Sequence, residues 1–299
     1  MTKAHIDLST YVVISIWFGC NNACTICMLG DMKRHLPAIG FEGFKQVLAQ
    51  IREQGRFRNL ILSGAEVTTF NELPRYVAHA ASLKWFRKIQ IQTNGRRLGE
   101  PRYLRHLVDL GVNEFFVSIH GTGAVHDAIA GQTGAYEETM AGIRDLAALP
   151  VNTITNTVLT TANAGDVPHL METLADAQTS EMHLWNYFPM ERSDTRGQVV
   201  SLAELCAMLP ELVAIALRAQ KPLVLKSFPE CLDIAAPGVF DSFFPVTVLP
   251  DPFWREFAEC GFGACPHRGP CTNAACWGLS AAYIEKYGDE RARLQPRRD

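Results

Sequence analysis

Short β-rich runs alternate with amphipathic helical patterns through about the first 220 residues, and no other feature limits the possible folds of this chain so tightly. Such alternation specifies repeated βα units and hence a parallel sheet. Six runs stand out: Tyr11–Gly19, Asn59–Ser63, Lys88–Thr93, Glu114–Ile119, Thr153–Leu159 and Glu181–Tyr187. Most are apolar on both faces, as buried parallel strands are. Phe41, Phe44, Val47, Leu48 and Ile51 mark one face of a helix, and Leu202, Leu205, Leu209, Leu212 and Ala216 mark another, with a kink expected at Pro210. A complete eight-unit barrel takes about 250 residues. The expected α/β fold is therefore a partial (β/α)6 TIM-type barrel over residues 1–226. Beyond Lys226, Pro229, Pro237, Pro245, Pro250, Pro252, Pro266 and Pro270 interrupt every apolar run and five cysteines appear. Residues 227–299 read as a small C-terminal cysteine-rich module held by metal rather than by its own core.

The charge balance, 28 Lys and Arg against 31 Asp and Glu, offers no cationic footprint, so neither nucleic acid nor an anionic membrane is an expected partner. The first ten residues lack the apolar run of a signal peptide, and no stretch approaches the roughly 20 apolar residues of a membrane span. A cytoplasmic location is expected. In that reducing compartment nine cysteines do not read as a disulfide framework, and clustered ones read as metal or redox ligands.

Cys20, Cys24 and Cys27 fall within eight residues directly after the first expected strand. Active sites of βα barrels sit on loops at the carboxyl ends of strands, so these thiols are expected at the barrel mouth. Three thiolates can hold three irons of a cubane and leave the fourth iron open, whereas a closed structural cluster takes four cysteines. The alternatives are inert thiols or a structural zinc ion, which wants four ligands; His35 is the one further donor close in sequence.

The CxxxCxxC spacing after a first strand resembles the radical S-adenosylmethionine (SAM) superfamily. That resemblance implies a [4Fe-4S] cluster on Cys20, Cys24 and Cys27 that binds SAM. Ser63-Gly64-Ala65-Glu66-Val67 stands where the family carries a Gly-Gly-Glu-Pro type motif that holds the SAM amino group; Gly64 and Glu66 match, Ala65 and Val67 depart. Thr93-Asn94-Gly95 and Ser118-Ile119-His120-Gly121 resemble strand ends lining the SAM pocket, and the segment from His126 to Gly134 resembles the stretch after the family's fourth strand. Asn156 resembles a polar residue near the ribose or carboxylate, and Ile26 replaces a usual aromatic beside adenine. The resemblance thus names Gly64, Glu66, Asn94, Ser118 and Asn156 as cofactor-binding. Without it, Glu66 is a solvated strand-end carboxylate, Asn94, Ser118 and Asn156 are turn or cap residues, and His120 is a hydrogen-bonded structural histidine. Cys206, in a helical apolar stripe, reads as a small buried hydrophobe.

The second cysteine group comprises Cys260, Cys265, Cys271 and Cys276, with Cys231 upstream. Four closely spaced thiols suffice for a cluster or a zinc site. Cys276-Trp277-Gly278-Leu279 resembles the ending of auxiliary-cluster modules of the SPASM and twitch type. That implies one auxiliary [4Fe-4S] cluster drawn from these five cysteines, one of which spacing leaves spare.

The activity implied by the resemblance is reductive cleavage of SAM to a 5′-deoxyadenosyl radical, which takes a hydrogen atom from a small-molecule substrate and leads to an oxidised or rearranged product. A flavodoxin- or ferredoxin-type electron donor is implied with it. Trp185, Asn186, Tyr187 and Arg192 follow the sixth run and either shape the substrate pocket or serve as packing and loop residues. Two other readings stand beside this one: a maturase of a ribosomally made peptide, and a non-catalytic iron-sulfur or zinc-binding protein. Some ten residues precede the first run, so a maturase is expected to need a separate recognition partner, and a cobalamin-dependent methylase is not expected.

Overall fold

The computed structural model describes residues 7–232 and 239–297; the first six residues of the N-terminal segment and Pro237 lie outside them. In chain order the elements are β1 (Tyr11–Trp17), α1 (Phe41–Gln54), β2 (Asn59–Gly64), α2 (Leu73–Ser82), β3 (Lys88–Thr93), α3 (Pro101–Asp109), β4 (Glu114–Ser118), α4 (Gly123–Ala130), α5 (Ala135–Leu146), β5 (Asn152–Leu159), α6 (Val167–Asp176), β6 (Glu181–Asn186), α7 (Leu202–Arg218), β7 (Leu223–Lys226), β8 (Val246–Val248), α8 (Asp251–Glu259) and α9 (Ala281–Tyr287). The strands form one sheet in the order β7-β6-β5-β4-β3-β2-β1-β8. Every pairing is parallel.

The six expected strands occupy the centre of this sheet in sequence order. Because neighbours are parallel, each connection must cross over, and the helices are those crossovers. In α1, Phe44, Leu48 and Ile51 are buried against the same core as Val12, Ile14 and Ile16 of β1. Gly55, at φ +73°, ends α1 with its N–H on the Arg52 carbonyl. A capping box between Ser201 and Glu204 starts α7, which runs on through Pro210 as one helix. An internal proline costs about 3 kcal/mol. Burial of Leu205, Leu209, Leu212 and Ile215 in the same helix, each contributing roughly 1.5–3 kcal/mol, outweighs that. Cys206 packs partly buried against this core.

Two strands extend the expected six. Leu223–Lys226 joins the β6 edge, and Val246–Val248 joins β1 with Val12 opposite Val246. Four- and three-residue strands carry too few positions for periodicity to register, and the second is bracketed by Pro245 and Pro250. The segment after residue 226 therefore contributes a strand to the sheet. It also packs on the barrel elsewhere: Leu202 N–H donates to the Tyr283 hydroxyl at 2.8 Å, and Lys286 pairs with Asp194 at 2.7 Å. Among the described residues no helix is long and apolar enough to cross a membrane.

Candidate active site

The carboxyl ends of the central strands surround a cavity of about 310 Å³. Cys20, Cys24, Cys27, Gly64, Asn94, Ser118 and Asn156 all line it, so residues spread over 137 positions of sequence meet at one mouth. Ile26 and His120 line it too.

The local fold explains how the thiols arrive there. The β1–β2 register shifts between Ser15 and Trp17, which releases the chain from the ladder just before Cys20. Ala23 N–H and Thr25 N–H then donate to the carbonyls of Ala130 and Ile129, at 3.0 and 2.9 Å. Arg96 donates from Nη1 to the Asn21 carbonyl at 2.6 Å and to Asn22 Oδ1 at 2.8 Å, while Asn94 Nδ2 donates to Asn21 Oδ1 at 2.7 Å. Two glycines permit these approaches. A Cβ at Gly64 would lie 1.9 Å from the Trp17 carbonyl oxygen, and one at Gly131 would lie 2.4 Å from that of Ala23.

Burial, followed by the neighbouring Cys27 and Cys20 charges, pushes the Cys24 thiol up to about 12. Burial likewise raises Cys20, to which Glu66 and Cys27 add. Thiols buried together in this way resist losing their protons to water, and a metal cation that replaces those protons offsets the cost. The donor set therefore fits a cysteine-ligated cluster. Four residues of the cavity lining, His126, Asn156, Trp185 and Asn186, carry orphaned buried polar atoms, which fit a polar ligand beside it. Asn156 Oδ1 and His126 Nε2 are buried and unpartnered, whereas buried polar groups with purely structural roles are almost always paired.

Glu66 is placed differently from the other expected residues. It is fully buried, does not line the cavity, and accepts from Thr68 N–H at 2.9 Å, Thr68 Oγ1 at 2.6 Å, Thr93 Oγ1 at 2.8 Å and the backbone N–H of Asn94. Burial raises its carboxyl despite these donors. The carboxylate thus ties the end of β2 to the end of β3 and orients Asn94. Trp185, Asn186 and Tyr187 line the cavity, whereas Arg192 lies against Gly261 instead.

Several lining residues were not among the expected site residues, although Ser63, His126 and Trp277 fell inside segments that the resemblance singled out. Ser63 and Gln92 pair across neighbouring strands at 2.7 Å, and the only signal for Gln92 was a polar residue at an inward strand position. His126 accepts the His120 backbone N–H on Nδ1 at 2.9 Å, which places the proton of its neutral ring on Nε2. Burial holds both rings neutral, lowering His120 to about 3 and His126 to about 4. Phe244 and Trp277 reach the cavity from the C-terminal segment.

The C-terminal cysteines separate into two environments. Burial pushes Cys231 up to about 11, with Cys276 and Cys265 raising it further, and burial and Cys265 act likewise on Cys276. Cys265 therefore lies close enough to act on both Cys231 and Cys276, which stand 45 positions apart in sequence. Cys260 is buried at the end of α8, where its thiol donates to the Phe257 carbonyl at 2.8 Å and its nearest charged influence is Arg192. Cys271 lies in the loop after Cys265, with its N–H on the His267 carbonyl.

A parallel βα half barrel with three cysteines and a ring of strand-end polar residues around its mouth defines a cofactor-dependent barrel protein. The pattern of the radical SAM superfamily matches residues 14–174, more than half of the chain, and the protein belongs to that superfamily. SAM and a [4Fe-4S] cluster are the cofactors that this membership implies. The chain is 26% identical over 177 residues to the sporulation killing factor maturation protein SkfB of Bacillus subtilis, covering 57% of this chain and 42% of that protein. It is 27% identical over 222 residues to the pre-heme d1 synthase of Dinoroseobacter shibae, covering 72% and 54%. In structure it resembles Streptococcus suis SuiB bound to the precursor peptide SuiA, with a TM-score of 0.60, 13% identity, and coverage of 72% of this chain and 48% of SuiB. The chain spans about half the length of these curated relatives.

Proposed function

We propose that this protein is a radical SAM enzyme that abstracts a hydrogen atom from a small organic substrate, giving an oxidised or rearranged product. The observation that carries this reading is the convergence of Cys20, Cys24 and Cys27 with Gly64, Asn94, Ser118 and Asn156 on one cavity at the strand ends. Cys20, Cys24 and Cys27 would hold the [4Fe-4S] cluster, and the Gly64 backbone with Asn94, Ser118 and Asn156 would hold SAM. When bound, these groups supply a 5′-deoxyadenosyl radical for hydrogen abstraction. The protein's contribution is orientation and exclusion of water. Arg96, Asn94 and the carbonyls of Ile129 and Ala130 fix the thiol loop, and Glu66 fixes Asn94. The neutral His126 presents an Nε2–H donor without moving a proton.

The same reading includes one auxiliary [4Fe-4S] cluster on Cys231, Cys265, Cys271 and Cys276, with Cys260 spare because its thiol is engaged at its own helix end. Residues 227–299 would form that module while lending β8 to the barrel. A flavodoxin- or ferredoxin-type donor in the cytoplasm would supply electrons. A peptide substrate is the second reading, favoured by the similarity to SkfB, a maturation protein.

The test is anaerobic reconstitution with iron and sulfide counted, followed by SAM, a strong reductant and measurement of 5′-deoxyadenosine. About eight irons per chain, one cubane per cysteine group, and formation of the nucleoside are expected. Full iron with no nucleoside would overturn the proposal.

A further inference from the structure

Deeper inside the curve of the sheet lies a second cavity of about 500 Å³. It shares Ser63, Gln92, Trp185, Phe244 and Trp277 with the thiol-lined cavity, so the two meet at a neck. Phe244 stands 4.5 Å from Trp277 and edge-on to Trp185 at 5.4 Å between ring centres, making that neck aromatic on one side.

Three observations limit what this lumen can take. Its wall carries Tyr11, Ile61, Phe116, Phe253 and Phe257, which favour an apolar guest. Each ionisable group in the lining already has a side-chain partner: Lys88 is ion-paired with Glu114 and Lys226 with Asp241 at 3.0 Å, and His183 is hydrogen-bonded to Glu181 at 3.1 Å. A guest bearing a charge would therefore be buried without a counter-charge, which is costly. At the neck, the Trp185 indole N–H is buried and lacks an acceptor, while the Ser63 hydroxyl is already donating to Gln92. A buried donor of this kind calls for an acceptor supplied by a ligand.

We infer that this lumen is the substrate subsite and takes an uncharged aromatic or bulky aliphatic group whose attached carbonyl accepts from Trp185 Nε1 at the neck. The inference rests on the proposed function in one respect: the neck is where the guest would meet the SAM cavity. A capped amino acid and an internal residue of a peptide present the same chemistry.

Isothermal titration calorimetry of the anaerobically reconstituted full chain with N-acetyl-L-phenylalaninamide tests it. One molecule should bind per chain, about tenfold or more tighter than N-acetyl-L-lysinamide. Trp185→Phe should weaken the phenylalaninamide about fivefold, the scale of one neutral hydrogen bond. It should leave the affinity for ethylbenzene, which has no carbonyl, unchanged. Equal affinity for the charged and uncharged amides, or an equal loss for both uncharged probes in Trp185→Phe, overturns the assignment. A capped pentapeptide with central Phe separates the sources: tighter binding than the single residue supports a peptide guest, and equal binding supports a small molecule. Calorimetry needs no SAM cleavage. Probe binding without 5′-deoxyadenosine would sink the proposed function and leave the lumen assignment standing; nucleoside formation without probe binding would do the reverse.

Discussion

Cys20, Cys24 and Cys27 hang from a loop clamped by α4 and by the segment after β3, with glycines at 64 and 131 making room for its backbone. Cys231, Cys265 and Cys276 instead lie on irregular segments with many local hydrogen bonds, such as Arg268 N–H to the Cys265 carbonyl and Gly278 N–H to Cys276 Sγ. The first group's loop is tied to regular elements, and the second group's segments are tied mainly to one another. The loop that carries the first group is held by its own hydrogen bonds, whereas a loop module gains its order from the ligand it encloses.

The contrast can be broken most sharply at the first group. Changing Cys20, Cys24 and Cys27 together to Ala should reduce iron from about eight to about four per chain and abolish 5′-deoxyadenosine, with the circular dichroism of the barrel unchanged. Retained SAM cleavage in that variant would end the assignment. At the second group, Cys276→Ala should remove about four irons while Cys260→Ala removes none, because Cys260 faces its own helix end. Equal iron loss in both would show that Cys260 is a ligand.

Smaller effects test the clamp itself. Gly64→Ala forces a Cβ against the Trp17 carbonyl, so urea unfolding should lose at least about 2 kcal/mol. A loss near zero would mean that the β1–β2 junction is not rigid. Burial depresses His120 and His126, and for His126 the nearby Asp127 opposes this while Arg96 adds to it. Their unfolded-state values lie near 6.5, so the unfolded chain binds more protons as pH falls. Their contribution is full above about pH 6.5 and declines as pH falls toward the folded values, by about 1 kcal/mol per histidine between pH 7.5 and 5.5. His126→Asn should remove about half of that dependence in urea titrations at the two pH values. An unchanged slope would show that His126 is not held neutral.

Much of this architecture was legible in the residues. All six long strands are found within two residues of their expected ends, because a run buried on both faces has no other reading once helical patterns flank it. The helix of Phe41, Phe44, Leu48 and Ile51 was legible from its period for the same reason. β7 and β8 were not, since three or four residues beside prolines carry no period. In the site, the thiol triplet was legible from its spacing and position, and the strand-end Asn94, Ser118 and Asn156 only through the resemblance to the superfamily. The burial of Glu66 was not, because a carboxylate at a strand end reads alike whether it faces a ligand or ties two strands together.

By itself the sequence determined the order of βα units, the presence of three thiols after the first strand and the number of cysteines beyond the barrel, all consequences of short-range pattern and spacing. Tertiary structure alone decided which polar groups share the mouth, that Trp185, Phe244 and Trp277 close one neck, and that Cys260 stands apart from Cys231, Cys265 and Cys276. Those outcomes depend on how distant segments pack. Packing is set by the summed burial of the whole core, which no local stretch of residues records.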